Sequence, residues 1–143
     1  MSSSLKFQLS ILVYLFFFLS SFPFYGTSTK FFMPFFNVNV IDELIDPLDM
    51  DCAINGITQP RVSLRQSHLH KYSVDVGAQE EATLLCNMTS GPRSGSFLLF
   101  KYSRDIPRCE IKDKRCTWNL MPTGLYLFFN SQQNLIFNWT MSS

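Results

Sequence analysis

The sequence predicts an all-β fold, a small disulfide-linked antiparallel β-sandwich. Three observations carry that expectation. Apolar residues recur with a period of two over most of the chain, which turns one face of a strand inward and the other outward. Asn-Gly, Val-Gly, Ser-Gly and Pro-Thr-Gly signals break the pattern into many short runs. Four cysteines (Cys52, Cys86, Cys109 and Cys116) follow an apolar leader in a chain of 143 residues, and an even set of thiols in a short exported chain reads as a disulfide framework.

The leader comes first in the chain. Lys6 supplies a single basic charge, Leu9 to Leu19 is almost wholly apolar, and Pro23, Gly26 and Ser28 supply a helix break and small residues. This order is that of a secretory signal peptide, expected over residues 1–28 with cleavage between Ser21 and Thr29. The alternative is an uncleaved anchor. It needs about 20 apolar residues, and Ser20, Ser21 and Pro23 interrupt this run sooner. A second apolar patch follows at Phe31 to Phe36. Residues 29–143 are then expected to form one domain, of ordinary size for a single core, in a secreted, extracellular protein.

The elements follow in order. Val38 and Val40 alternate with Asn37 and Asn39, and Leu48, Met50, Cys52 and Ile54 alternate with Asp49, Asp51 and Ala53. Val62 and Leu64 lie between Arg61, Ser63 and Arg65. Tyr72, Val74 and Val76 precede a stop at Gly77, and Ala82, Leu84, Cys86 and Met88 make the next inward row. Phe97 to Tyr102 is apolar on both faces, as expected of a central strand or one under a loop. Trp118 and Leu120 follow Cys116, and Pro122-Thr123-Gly124 turns the chain into Leu125, Leu127 and Phe129. Leu135, Phe137 and Trp139 close the sequence as a last inward row. No helical stripe stands out after the leader.

Charge excludes some function classes. The formal net charge is +1, so neither a nucleic-acid footprint nor strong attraction to an anionic membrane is indicated. Locally the balance is uneven: Asp42 to Asp51 holds five acids and no base, and Arg104 to Arg115 holds five bases and three acids. Solvated loops account for both runs, and a partner-facing surface is the sharper reading. Asn87-Met88-Thr89 and Asn138-Trp139-Thr140 are N-glycosylation acceptors, and alternation turns Asn87 and Asn138 outward, where a glycan must lie.

Catalytic chemistry finds little support. His68 and His70 stand two apart, as two ligands on one strand face would, but a zinc site needs further ligands and oxidised cysteines cannot supply them. Asp49 and Asp51 share a face, yet it is the one opposite the apolar row, where carboxylates are simply hydrated. No Gly-x-Ser-x-Gly elbow or phosphate-cradling glycine loop appears. The expectation is a binding protein with no catalytic residue, metal or cofactor.

Several stretches taken together resemble a known family. They are Val38-Asn-Val-Ile-Asp-Glu-Leu44, Leu48-Asp-Met-Asp-Cys52, Gly77-Ala-Gln-Glu-Glu-Ala-Thr-Leu-Leu-Cys86 and Phe100-Lys-Tyr102. Cys109, Cys116-Thr-Trp118, Gly124-Leu-Tyr126 and Phe137-Asn-Trp139 follow. The series resembles the plant self-incompatibility proteins, small secreted S-protein homologues, from about Val38 onward. Asp42-Glu43, the Ala-Ile-Asn-Gly after Cys52, and Leu85 before Cys86 depart from the family pattern.

The resemblance implies an extracellular β-sandwich with Cys52, Cys86, Cys109 and Cys116 as structural crosslinks. It also implies a monomeric protein ligand for a cell-surface membrane protein receptor, with pollen–pistil rejection as one setting. No nucleic acid or small-molecule substrate is expected as a partner. Four cysteines allow three pairings. The nested one, Cys52–Cys116 with Cys86–Cys109, is the expectation because it would tie the β-layers together, each bridge contributing about 3 kcal/mol. Specificity is expected in the loops Ile54 to Gln59, Met88 to Ser96 and Ser103 to Arg115. The competing class is a secreted defence-type hydrolase or inhibitor, which needs a buried acid/base set or a protruding reactive loop.

Overall fold

The alternation resolves into two stacked sheets in a computed structural model that describes residues 8, 10–14, 35–77, 81–110 and 112–143. The chain divides into two units, Met1–Phe31 and Phe32–Ser143. In the first, residues 10–14 are helical, and no helix among the described residues is long and apolar enough to cross a membrane. Most of the leader expected over 1–28 lies outside the described residues.

Among the described residues of the second unit eleven strands run in chain order: β1 Phe35–Asp42, β2 Leu48–Ile54, β3 Ile57–Thr58, β4 Val62–Leu64, β5 Leu69–Asp75, β6 Thr83–Ser90, β7 Arg93–Lys101, β8 Arg115–Met121, β9 Gly124–Phe129, β10 Gln132–Phe137 and β11 Thr140–Met141. Sheet A has the order β10-β9-β8-β1-β5, and sheet B has β11-β7-β6-β2-β3 with β4 also on β2. Pairing is antiparallel except between β1 and β8, which run parallel. Parallel neighbours need a long crossover, and here the crossover from β1 to β8 contains most of sheet B.

Turn chemistry sets the hairpins. Asn55 and Gly56 both have positive φ (50° and 79°) between paired Ile54 and Ile57, the backbone that joins right-twisted strands with two residues. Asn130 and Ser131 do the same between β9 and β10. Pro60, which has no N–H to give a ladder, separates β3 from β4 along one edge.

The core is the set of inward rows. Val38 and Val40, Met50 and Cys52, Leu84, Cys86 and Met88, Trp118 and Leu120, and Leu125 and Leu127 are all buried. The final row departs from expectation: Leu135 is 48% exposed, because the β9–β10 register shifts between Leu135 and Phe137 and the alternation reverses there. A second bulge lies in β7. Leu98 pairs with Leu85 and Phe100 with Leu84, so Leu99 is an extra residue, and Leu99 and Phe100 are consecutive yet both buried. The carbonyl of Leu99 accepts a 2.9 Å hydrogen bond from Trp118 Nε1 in the other sheet. Trp118 stacks on Phe137 at 5.6 Å, and Phe97 touches both Phe137 and Trp139.

The disulfides are not nested. Cys52 bonds Cys86, and Cys109 bonds Cys116. The reason is strand order: Cys52 and Cys86 face each other on neighbouring β2 and β6 with Cα atoms 4.0 Å apart, whereas Cys116 lies near the start of β8 in the other sheet. One bridge therefore staples two strands of sheet B, and the other closes a loop.

Asp42, at the end of β1, is wholly buried. Its Oδ1 accepts the Leu44 N–H at 2.8 Å, capping the crossover to β2, while Oδ2 has no partner among the described residues. Burial pushes the carboxyl up from its ordinary value, with neighbouring Glu43 pushing the same way; the Leu44 hydrogen bond and His68 oppose them.

Three outcomes follow from this packing. Replacing Cys52 and Cys86 together by Ala should cost about 4 kcal/mol by loop entropy, against about 2 kcal/mol for Cys109 with Cys116, read as denaturant midpoints of the secreted protein. Equal losses would contradict the assignment of the longer closed loop to Cys52–Cys86. Trp118→Phe keeps an aromatic ring but removes the indole N–H and part of the buried ring volume, stranding the Leu99 carbonyl, so it should destabilise by at least about 2 kcal/mol, and an unchanged midpoint would remove the hydrogen bond from the account. Asp42 binds its proton more tightly folded than unfolded, so its charged form costs stability at neutral pH and the cost fades as pH falls through the raised value. The stability gap between wild type and Asp42→Asn should therefore shift in favour of wild type as melts move from pH 7 to about pH 4. A gap that does not change with pH would reject this.

Candidate functional site: a braced basic loop

The segment between β7 and β8 begins with a four-residue helix, Tyr102–Asp105, whose Asp105 is wholly buried. A carboxylate this deep stays charged only where it is well engaged, and unlike Asp42 it has partners on both oxygens. Asp105 Oδ2 accepts the Lys101 N–H at 2.7 Å and Arg104 Nη2 at 2.7 Å, and Oδ1 accepts Arg104 Nε at 2.9 Å. Arg108 also donates to Oδ1 through both Nε and Nη2. The Asp105 backbone carbonyl accepts the N–H groups of Arg108 and Cys109. Arg104 Nη2 reaches on to the carbonyl of Leu98, at 2.6 Å, beside the β7 bulge.

Two guanidinium groups thus share one carboxylate, and their side chains remain 30% and 26% exposed. One positive charge is left uncompensated there, in a fixed place. The chain then enters the Cys109–Cys116 ring. Glu110 and Arg115 exchange backbone hydrogen bonds of 3.0 and 3.1 Å and pair through their side chains at 2.6 Å. Lys114 takes positive φ (47°) to close the tip, where Lys112 and Asp113 are exposed.

Of the three loops singled out from sequence, two are brought together. The Asn55 side chain holds the Asp75 carbonyl and the Thr83 N–H, and Thr83 pairs with Lys101, so the Asn55–Gly56 turn flanks the start of the basic loop. Ile57, beside that turn, is 68% exposed. The Met88 to Ser96 segment is elsewhere: Ser90, the last residue of β6 before its turn, donates through its hydroxyl to the carbonyl of Asp46, in the β1–β2 crossover at the other end.

The remaining candidates are also placed. Asp49 and Asp51 lie on the outer face of sheet B, engaged by Ser63 and by Arg61. The Arg61 hydrogen bond holds the Asp51 carboxyl below its ordinary value. His68 is exposed in the turn before β5, and His70 is half-buried on the strand edge-on to Tyr72, with ring centroids 4.6 Å apart. Burial lowers the His70 pKa, favouring the neutral ring. Among the described residues no three His, Cys, Asp or Glu side chains are grouped to hold a metal.

A cleft of about 330 Å³ opens between β5 and the β3–β4 edge, lined by Ile54, Pro60, Val62, His70 and Tyr72 among others. The Tyr72 phenol is pushed up to about 12, first by burial and then by Asp51, so it stays protonated and forms a neutral wall. Asn87 and Asn138 are both exposed.

Sequence reasoning missed Asp105, which stands among charges that read as solvated. The available signal was its position, with Arg104 before it and Arg108 three residues after, the spacing at which side chains on one helical turn meet.

Neither the curated proteins nor the solved structures hold a match to the chain. A family model described as "Plant self-incompatibility protein S1" matches residues 37–139, which runs from the third residue of β1 to Trp139 and takes in all four cysteines and the basic loop. The chain belongs to the plant self-incompatibility protein S1 family.

Proposed function

We propose that the chain is a secreted recognition ligand that binds a cell-surface membrane protein receptor, and that it does so through the basic loop between β7 and β8 with the Asn55–Gly56 turn beside it. Family membership supports a self-incompatibility role, and pollen–pistil rejection is the setting we propose for it. The observation that carries the reading is the bracing of the loop. Asp105 holds Arg104 and Arg108 in set positions, and the Cys109–Cys116 bridge holds the tip. A charged surface that is ordered before contact loses less entropy on binding, and its cations steer approach to an acidic partner.

The sequons fit the same arrangement. Asn87 projects from the outer face of sheet B between Asp51 and Ser96, so a glycan there would cover that face and leave the loop end open. Asn138, just beyond β10, is the second acceptor.

The test is binding of labelled mature protein to intact pollen and stigma cells. Saturable binding that is abolished by protease treatment of the cells is expected. Lys112→Glu with Lys114→Glu should weaken it at least about tenfold, or 1.4 kcal/mol, and added salt should weaken wild type in the same direction. Ser96→Glu, which adds charge on the outer face of sheet B, should leave binding unchanged. Binding that never saturates, or that ignores the loop substitutions, would overturn the reading.

A further inference from the structure

Each sheet edge exposes backbone donors and acceptors that can pair with another strand, and folded proteins normally blunt such edges with charge, proline, bulges or brevity. Three edges here are blunted. The β3–β4 edge is broken by Pro60 into strands of two and three residues, and β11 has only two residues. The β5 edge carries His70, Lys71 and Asp75.

The fourth edge, β10, differs. It has six residues, Gln132–Phe137, without a charge or a proline, and its neighbour among the described residues is β9 alone. Its bulge falls at the far end, between Leu135 and Phe137, leaving Gln132 to Leu135 in regular register. The absence of charge extends well beyond the strand: no Asp, Glu, Lys, Arg or His occurs from Cys116 to Ser143.

We propose that β10 pairs antiparallel with β10 of a second copy of this chain, about a two-fold axis at Gln133. Symmetry supplies the reason for choosing this occupant. A residue on the axis of a two-fold strand pair faces its own copy at about 5 Å. Any charge there would meet the same charge. A side chain that satisfies itself must carry both donor and acceptor, and a carboxamide does.

The regular stretch of β10 opens with three amides in a row, exposed Gln132 and Gln133 and half-buried Asn134. Pairing that keeps side chains on matching faces sets Gln133 opposite Gln133 and Gln132 opposite Asn134. The axis belongs at Gln133 because the Asn134 amide is already engaged, donating to the Gln132 carbonyl at 3.1 Å, whereas Gln133 is exposed on the outer face. A receptor segment recruited by charge would instead call for a charged edge. The dimer takes the place of the monomer expected from sequence, and it does not depend on the receptor reading.

Sedimentation of the mature protein over a wide concentration range is the test. The mass should rise from one chain toward two, and the β10 amides should gain hydrogen-exchange protection with it. Gln133→Lys and Gln133→Glu should each remain monomeric, since either sign meets itself, and should melt like wild type at concentrations where wild type is also monomeric. An equimolar mixture of the two should associate again, through a Lys–Glu pair across the axis. Asn138→Gln, measured alongside, removes any glycan at the end of the strand and should dimerise at least as well as wild type. Four results would each overturn the proposal: a monomer at every concentration in Asn138→Gln, protection of β10 that is independent of concentration, dimers that survive both charge substitutions, or a mixture that stays monomeric.

Discussion

The rest of the domain depends on one hydrogen bond, from the Trp118 indole N–H in sheet A to the Leu99 carbonyl in sheet B. Apolar burial holds the sheets together but is non-directional, so by itself it leaves one sheet free to slide over the other. A donor in one layer and an acceptor in the other, both buried, remove that freedom, because any slide strands both groups. The acceptor exists because β7 is bulged: Leu99 has no partner on β6, and its carbonyl serves the facing sheet in place of the neighbouring strand. From Trp118 an aromatic chain runs through Phe137 and Phe97 to Trp139. Trp139 Nε1 then donates to the Met121 carbonyl at 2.7 Å, returning to the end of the strand that carries Trp118.

The same bulge positions the charged loop. The Leu98 carbonyl, next to the one that Trp118 uses, accepts Arg104, and Asp105 takes the N–H of Lys101 at the end of β7. The basic surface is therefore fastened to β7 on either side of the bulge that also sets the sheet alignment. This explains how an exposed cationic segment remains ordered without a long closed loop: the disulfide spans only seven positions, and the buried carboxylate does the rest. A buried ion pair is weak as a source of stability, but here one carboxylate holds both arginines and the end of β7 in a single arrangement, and fixed arrangement is what a recognition surface needs.

Much of the fold was legible because burial in a strand has a period of two. The rows through Met50 and Cys52, through Leu84, Cys86 and Met88, and through Trp118 and Leu120 are buried as the alternation implies. What failed was whatever depends on which strands are neighbours. Cysteine positions on their strands were readable, but their pairing required knowing that β2 lies beside β6 and β8 in the other sheet. Bulges fail for a related reason: an extra residue shifts the period by one. It makes Leu99 and Phe100 look like a strand apolar on both faces, and it turns Leu135 out. At the candidate site, charge counting located the basic segment but could not tell a hydrated carboxylate from one sealed beneath two arginines, because that distinction lies in contacts.

Charge is distributed along this chain in a way that separates two kinds of surface. The basic segment ends at Arg115, the first residue of β8, and the uncharged one begins at Cys116, so the rest of β8 with β9 and β10 forms a neutral flank beside a cationic end. If β10 is the shared edge, five strand spacings separate β8 of one copy from β8 of the other, about 24 Å at 4.8 Å each. The basic loops lead into those β8 strands, so a pair of chains carries two loops at a set lateral separation and pointing opposite ways along the strands. Two weak sites held at fixed spacing bind a surface of like receptors far more tightly than one, since the second contact forms at high effective concentration. Neutrality at the edge and charge at the loop are then complementary requirements: the first lets identical chains approach, and the second would keep them apart if it lay on the edge.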